Sequence, residues 1–412
     1  MSALFNLFYL YDPWLMHFFR MAFFVGVLAM LALAYRTYRI RQSYVLKGEN
    51  AQPLPHAWQG IMVPVDSLVV LVMLIGISAI PMLFHGTGEW GVIKMYVKSL
   101  ILFVFGIGLY NLFYHHSAGK YQCVRDLNIG IVVQAVIGLF ALAGVSYFIE
   151  LGLLSHIELP RFYGSEQEYR LYNLTSSAFF QLSIFYLFLL HFLLAYHKQG
   201  KGMSPIILFF LLCIGVISGR TFFMLSLFSL VLYFKWRYLP ALLLFAAIVL
   251  FLALQFADHK YVAHAFEPVI NLLSHHDVTR LSSSSDNLVR NHLFLPTIQQ
   301  MIFGEGDYFT PDGKYYGATD SGFLRQILYG GVGYLLVCFA FTAYFVKRVA
   351  DNWFGGSWVF ILSTLFIFSV LNIKADTYAF PGIMFVMIMF LSLFGEKGKQ
   401  RNLLMMKETQ HV

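Results

Sequence analysis

Runs of apolar residues follow one another through almost the whole chain and stop for only one long polar interval, Ala257 to Asp320. Each run is close to the ~20 residues that cross a bilayer core as a helix. This pattern leaves few folds open. Backbone amides in hydrocarbon have no water to bond, so only helices and closed barrels satisfy them. Barrel strands show strict alternation rather than unbroken apolar runs. The chain therefore reads as all-α and polytopic, one membrane domain over residues 1–412. Composition agrees, with 59% hydrophobic and 12% charged residues against about 25% charged in soluble domains.

About 11 transmembrane helices (10–12) are expected on the length template, near residues 16–35, 61–84, 92–114, 127–149, 175–196, 204–218, 221–235, 239–257, 321–346, 357–373 and 380–395. The sixth and seventh are short. One helix from Pro205 to Phe234 would run ~45 Å, too long for a single comfortable crossing. Ser218-Gly219-Arg220 thus reads as a tight hairpin. Residues 1–35 have no small-residue cleavage site after their apolar run and read as a retained helix.

Lysine and arginine counts in short connections set the orientation. Arg36, Arg39, Arg41, Lys47, Lys120, Arg125, Lys198, Lys201, Lys235, Arg237, Lys347, Arg348 and four residues of the C-terminal tail fall on one side, expected to be cytoplasmic. The long loop 257–320 and a second loop, 150–176, then lie outside. The N-terminus is expected outside as well, with residues 1–13 able to form a further partial helix. The formal charge of +7 does not point to nucleic acid, because the basic residues cap apolar runs instead of forming a patch. Cys123, Cys213 and Cys338 are far apart, without metal or disulfide spacing.

The exterior basic residues carry the chemical information, since topology gives no reason to place them there. They include Arg20, Lys94 and Lys98, Arg161 and Arg170 in the first loop, Arg280 and Arg290 in the second, then Lys314, Arg325 and Lys374. For Arg20, Lys314 and Lys374 the plain reading is snorkelling or a surface ion pair. Arg220 differs, because it sits in a minimal turn between two apolar helices, where a charge needs a partner. Guanidinium groups match phosphate oxygens and stay charged. Several of them near the outer leaflet suit a lipid diphosphate, and they stabilise its departure without a metal or other cofactor.

Within the long loop, Ser285 or Asp286 is expected to cap an amphipathic helix over Asn287–Phe303 that Pro296 breaks or kinks and Gly304 ends. His275-His276-Asp277 lacks metal geometry. Asp320 or Ser321 is a natural cap for the next helix, and Asp320 is also placed to orient Arg325 or a sugar hydroxyl. Asn173-Leu174-Thr175 matches a glycosylation triplet, a pattern common by chance.

Taken together, Ser218-Gly219-Arg220, Arg290, Ile302-Phe-Gly304-Glu-Gly306 and Thr319-Asp320-Ser-Gly-Phe-Leu-Arg-Gln-Ile-Leu-Tyr-Gly-Gly-Val-Gly333 resemble the O-antigen polymerase (Wzy) family, and more distantly the O-antigen ligases. The resemblance implies a glycosyltransferase of the bacterial inner membrane, active on its periplasmic face. It would transfer a growing glycan from undecaprenyl diphosphate to a lipid-linked repeat unit, for polysaccharide or lipopolysaccharide synthesis. The implied partners are that lipid-linked oligosaccharide, membrane lipids and a chain-length regulator protein. Family arginines fall on Arg161 or Arg170, on Arg280 or Arg290, and on Arg220. Asp320, Glu305 or His292 would assist the acceptor hydroxyl, with Arg325 and Tyr172 also toward substrate. His292 is followed by Leu293 where ligases carry an amide-type residue, which favours polymerase. A ligase and a transporter of lipid-linked sugars are the alternatives.

Overall fold

A computed structural model of the chain describes residues 1–14, 20–47, 60–156, 158–198, 200, 202–273, 287–395 and 401–404. The apolar runs become helices: α1 Ser2–Tyr11, α2 Met21–Lys47, α3 Val65–His85, α4 Gly91–Leu109, α5 Gly119–Leu142 and α6 Ser146–Leu154. There follow α7 Phe179–Lys198, α8 Pro205–Ser218, α9 Arg220–Leu232, α10 Leu239–Gln255 and two short loop helices, α11 Lys260–Ala265 and α12 Glu267–Leu273. The last four are α13 Ile298–Phe303, α14 Gly322–Phe354, α15 Trp358–Asn372 and α16 Ile383–Leu391. Among the described residues seven helices are long and apolar enough to cross a membrane: α2, α3, α4 with its π-helical continuation Tyr110–Tyr114, α5, α7, α10 with the 3₁₀ turn Trp236–Tyr238 before it, and α14. Apolar helices α8, α9, α15 and α16 are shorter, at 14, 13, 15 and 9 residues, and so are α1 and α6. Among the described residues the only strands are β1 Ile61–Val63 and β2 Arg401–Leu404, an antiparallel pair.

Helices α7 and α16 form the axis of the bundle. Residues Leu182 to Ala195 of α7 are all buried, and so is every residue of α16, as expected for helices apolar all round. The outer helices show large apolar side chains outward, among them Met73 and Leu83 of α3 and Leu243, Phe251 and Leu254 of α10. That surface suits lipid.

At one end of the bundle, basic side chains tie the short connections together. Lys235 Nζ donates to His197 O at 2.8 Å and to Gly200 O at 2.6 Å, Lys120 donates to the Asn352 carbonyl, and Arg348 pairs with Asp66. At the same end the Met203 amide donates to Tyr238 Oη at 3.3 Å. Helices α8 and α9 therefore enter and leave together, and Ser218-Gly219-Arg220 is the tip of a hairpin. At 1.5 Å per residue each arm is about 20 Å long, so the tip stops short of the ~30 Å a hydrocarbon core measures.

The opposite end holds the two long loops, and segments from there plunge into the bundle. Leu171, Tyr172, Asn173 and Thr175 are buried, and so are Asp376, Thr377, Tyr378 and Ala379. Buried backbone must find partners, and neighbouring helices supply them from side chains. Gln134 of α5 donates to Leu174 O and accepts from Leu174 N, both at 2.8 Å. Asn372 Oδ1 accepts from Thr377 N at 2.8 Å, and Thr342 Oγ1 from Ala379 N at 2.8 Å. Asn173 of the glycosylation triplet is thus inside the protein, its amide donating to Arg170 O at 2.9 Å.

Three expectations change. The N-terminus does not sit at the long-loop end: Arg125 Nη2 reaches Ser2 Oγ at 3.5 Å near the start of α5, so α1 is an additional buried helix that begins toward the basic end. The fourth run starts earlier, at Gly119, and stops at Leu142, leaving α6 as a separate helix. The amphipathic helix is not continuous, because Pro296 cannot supply a helical amide. A π turn, Leu288–His292, runs into extended chain, and α13 then starts afresh with a capping box between Thr297 and Gln300. Ser285, Asp286 and the His275–Asp277 segment lie outside the described residues.

Candidate functional site

Arg170 belongs to a 3₁₀ turn, Glu168–Leu171, at the mouth of the first plunging segment. Its Nε donates to Ser218 O at 3.1 Å, and its Nη1 lies 3.3 Å from Gln167 Oε1. Its guanidinium lies over the Phe179 ring at 4.5 Å. Both hydrogen-bond acceptors are neutral. Phe179 itself sits at φ 57°, a left-handed conformation that a bulky residue adopts only when its surroundings impose it. Gly219 permits the approach, since a Cβ there would stand 2.7 Å from Arg170 Nη2.

Arg220 follows at once, as the first residue of α9, and pairs with Glu267 of α12. Lys374, in the connection between α15 and α16, joins the same group. Burial, then Arg220 and Arg170, push its ammonium down to about 8, while Asp320 acts in the opposite sense. Burial and Arg220 likewise hold Arg170 down, to about 10. His264 of α11 feels both arginines in addition to burial, which takes it to about 4. It is neutral near pH 7 and shares a 2.9 Å hydrogen bond with Tyr169 Oη. Three cations thus converge from the first loop, the hairpin tip and the last connection, at a place where each raises the cost of charging the others.

A second group adjoins Lys374 through Asp320. Arg325 is fully engaged: Nη1 to Asp376 Oδ2 at 2.7 Å, Nη2 to Asp320 Oδ1 at 3.2 Å and Nε to Thr319 O at 2.9 Å, with the guanidinium stacked on Tyr315. Asp376 and the Arg325 side chain are buried, whereas Asp320 is 56% exposed. Arg325 therefore holds Asp320 in place from beneath. Ser321 rather than Asp320 is the cap position of α14, and neither side chain caps it. His292 Nδ1 lies 2.9 Å from Ala318 O, an acceptor, so Nδ1 carries the proton. Nε2 then accepts from the Asn287 side-chain amide at 3.2 Å, with Asp320 Oδ2 3.6 Å away.

Below this site the glycine motifs interlock. Helix α14 breaks its helical path at Gly330 and Gly331, freeing carbonyls that accept from the Glu305 and Gly306 amides at 2.6 and 3.0 Å. A Cβ on Gly331 would stand 2.4 Å from Ile302 O. These glycines allow two backbones to touch, and so fix where loop 304–320 starts.

The other expected residues are placed as follows. Arg161 is exposed and stacks on Phe162 at 4.8 Å, whose ring lies 4.4 Å from that of Phe179. Tyr172 is buried and donates to Glu168, so it buttresses the loop. Glu305 accepts from Gln300 at 2.9 Å, on the α13 side beside Asp307. Arg290 is exposed and makes no ion pair or hydrogen bond among the described residues. Arg280 lies outside them. Sequence reasoning read Lys374 as snorkelling or a surface ion pair, which its burial beside Arg220 and Arg170 replaces, and it did not single out Glu267. Lys374 has the signature that singled out Arg220, a charge in a short turn between apolar helices.

No protein-family model, curated protein or solved structure matches this chain.

Proposed function

We propose that the protein is a polysaccharide polymerase of the bacterial inner membrane, taking a growing glycan from undecaprenyl diphosphate and joining it to a lipid-linked repeat unit. The basic end is read as cytoplasmic by the positive-inside rule, which puts the cationic site at the periplasmic face. On that reading α8 and α9 lift their tip only to outer-leaflet depth, where a lipid headgroup is within reach.

The observation that carries this reading is Arg170, a partly buried guanidinium served by neutral acceptors beside Arg220 and Lys374. Placing like charges together is costly, and such arrangements mark sites that bind an opposite charge. Arg170, Arg220 and Lys374 hold the donor diphosphate. The acceptor hydroxyl attacks the anomeric carbon, the carbon–oxygen bond to the diphosphate breaks, and the charge on the leaving group falls on those cations. The hydroxyl proton passes to Asp320, the exposed carboxylate that Arg325 holds and whose charge acts on Lys374, with His292 beside it.

The test is glycan length in a strain lacking the gene and supplied with single variants. Arg170→Ala, Arg220→Ala and Asp320→Asn should leave lipid cores carrying one repeat unit while protein levels hold. Long glycans in all three would overturn the mechanism, and bare cores in the deletion strain would assign the chain to ligation instead.

A further inference from the structure

An apolar cavity of about 270 Å³ opens beside Tyr169. Its walls come from α5, α8 and α10, through residues such as Leu139, Ile217 and Leu252, and its roof is α11 with Val262 and Ala265. Leu142 and Ile248, both exposed, form its rim on the side where α10 shows apolar residues outward. The roof continues directly into α12, whose first residue is Glu267, the carboxylate on Arg220. One short helical pair thus covers an apolar cavity and plugs a cationic site.

We infer that α11–α12 is a lid latched by Glu267: a lipid diphosphate takes Arg220 from Glu267 with its head, lays the start of its tail in the cavity, and so releases the lid. The inference rests on the diphosphate reading above and names how that ligand enters. Three observations support it. Glu267 supplies one negative charge to Arg220, on which Glu166 also acts, whereas a diphosphate supplies more and displaces Glu267 by charge. Helix α12 has seven residues, far below the 12–15 at which an isolated helix is even marginal, so its position depends on tertiary ties. Helix α11 is tied separately to the first loop, by Lys260 to Gly164 O at 3.1 Å and His264 to Tyr169, which gives the lid a hinge side.

The experiment uses the full chain in lipid nanodiscs, with farnesyl diphosphate, farnesol and inorganic pyrophosphate as probes. Hydrogen exchange is followed over residues 260–273. Farnesyl diphosphate should speed exchange in α12 by tenfold or more, and pyrophosphate should do so at higher concentration, whereas farnesol should not. Glu267→Gln should exchange fast without any probe and bind farnesyl diphosphate about tenfold more tightly. Ile248→Trp, which fills the rim and leaves the cations untouched, should weaken farnesyl diphosphate but not pyrophosphate. Unchanged α12 exchange on binding, or no gain in Glu267→Gln, overturns the latch while the diphosphate site stands. If Arg170→Ala and Arg220→Ala bind farnesyl diphosphate as the parent does, the diphosphate reading itself fails.

Discussion

Removing one partner of the Arg325–Asp376 pair should be among the most damaging single changes in this protein. The two side chains are 4% and 1% exposed, with Nη1 and Oδ2 2.7 Å apart. Breaking a buried ion pair from one side leaves an uncompensated charge and costs about 3–5 kcal/mol. In Asp376→Asn the amide turns a donor, or a weaker neutral oxygen, toward a guanidinium that only donates. In Arg325→Met the Asp376 carboxylate is stranded, and the Thr319 carbonyl and Asp320 lose their donors too. The double variant Arg325→Met/Asp376→Asn should cost little more than the worse single, because no buried charge remains. The coupling energy is therefore at least about 2 kcal/mol. Thermal unfolding of the four proteins in one detergent gives the comparison. Losses that simply add, or singles that melt with the parent, would refute the claim that this pair supports Asp320 from below.

Two further outcomes follow from the same geometry. Lys374 is charged below about 8 and neutral above it, so pyrophosphate binding should weaken up to about tenfold as pH rises from 7 to 9. The charges facing it are Arg170, Arg220 and Asp320, and Lys374→Gln should flatten the profile. Because folding lowers this ammonium's affinity for protons, its contribution to stability runs the other way, rising with pH between about 8 and the ordinary lysine value. Gly331→Ala should destabilise the protein by more than about 1 kcal/mol, since φ is 74° and the new Cβ meets the Ile302 carbonyl. Melting temperature checks this, and Gly333→Ala, where nothing lies within 4 Å, should be nearly neutral.

Much of the architecture was readable because a bilayer imposes simple rules. Apolar runs predict helices, and the matched lysines at 198 and 235 predict that α8 and α9 form a hairpin. Pro296 predicts the break before α13. What escaped were the segments near 171–176 and 373–379, whose mixed residues read as ordinary loops. Their burial depends on Gln134, Asn372 and Thr342, side chains far away in sequence that happen to meet orphaned backbone groups. Lys374 carries a local signature, a charge in a short turn between apolar helices, but its company depends on Arg170 and Arg220 approaching from distant parts of the chain. The two glycine motifs were recognisable as motifs, but only the kink in α14 explains them: each makes room for the other. The resemblance put Arg290 and Glu305 forward, yet Arg290 is exposed and Glu305 is bound on the α13 side.

The most direct test of the account is reconstitution. Purified protein in liposomes, given only a synthetic undecaprenyl-diphosphate-linked repeat unit, is assayed for polymer and for free undecaprenyl diphosphate. The account predicts a ladder of glycans with one diphosphate lipid released per bond formed, and loss of both products in Arg170→Ala/Arg220→Ala. An undiminished ladder from that double variant would contradict it.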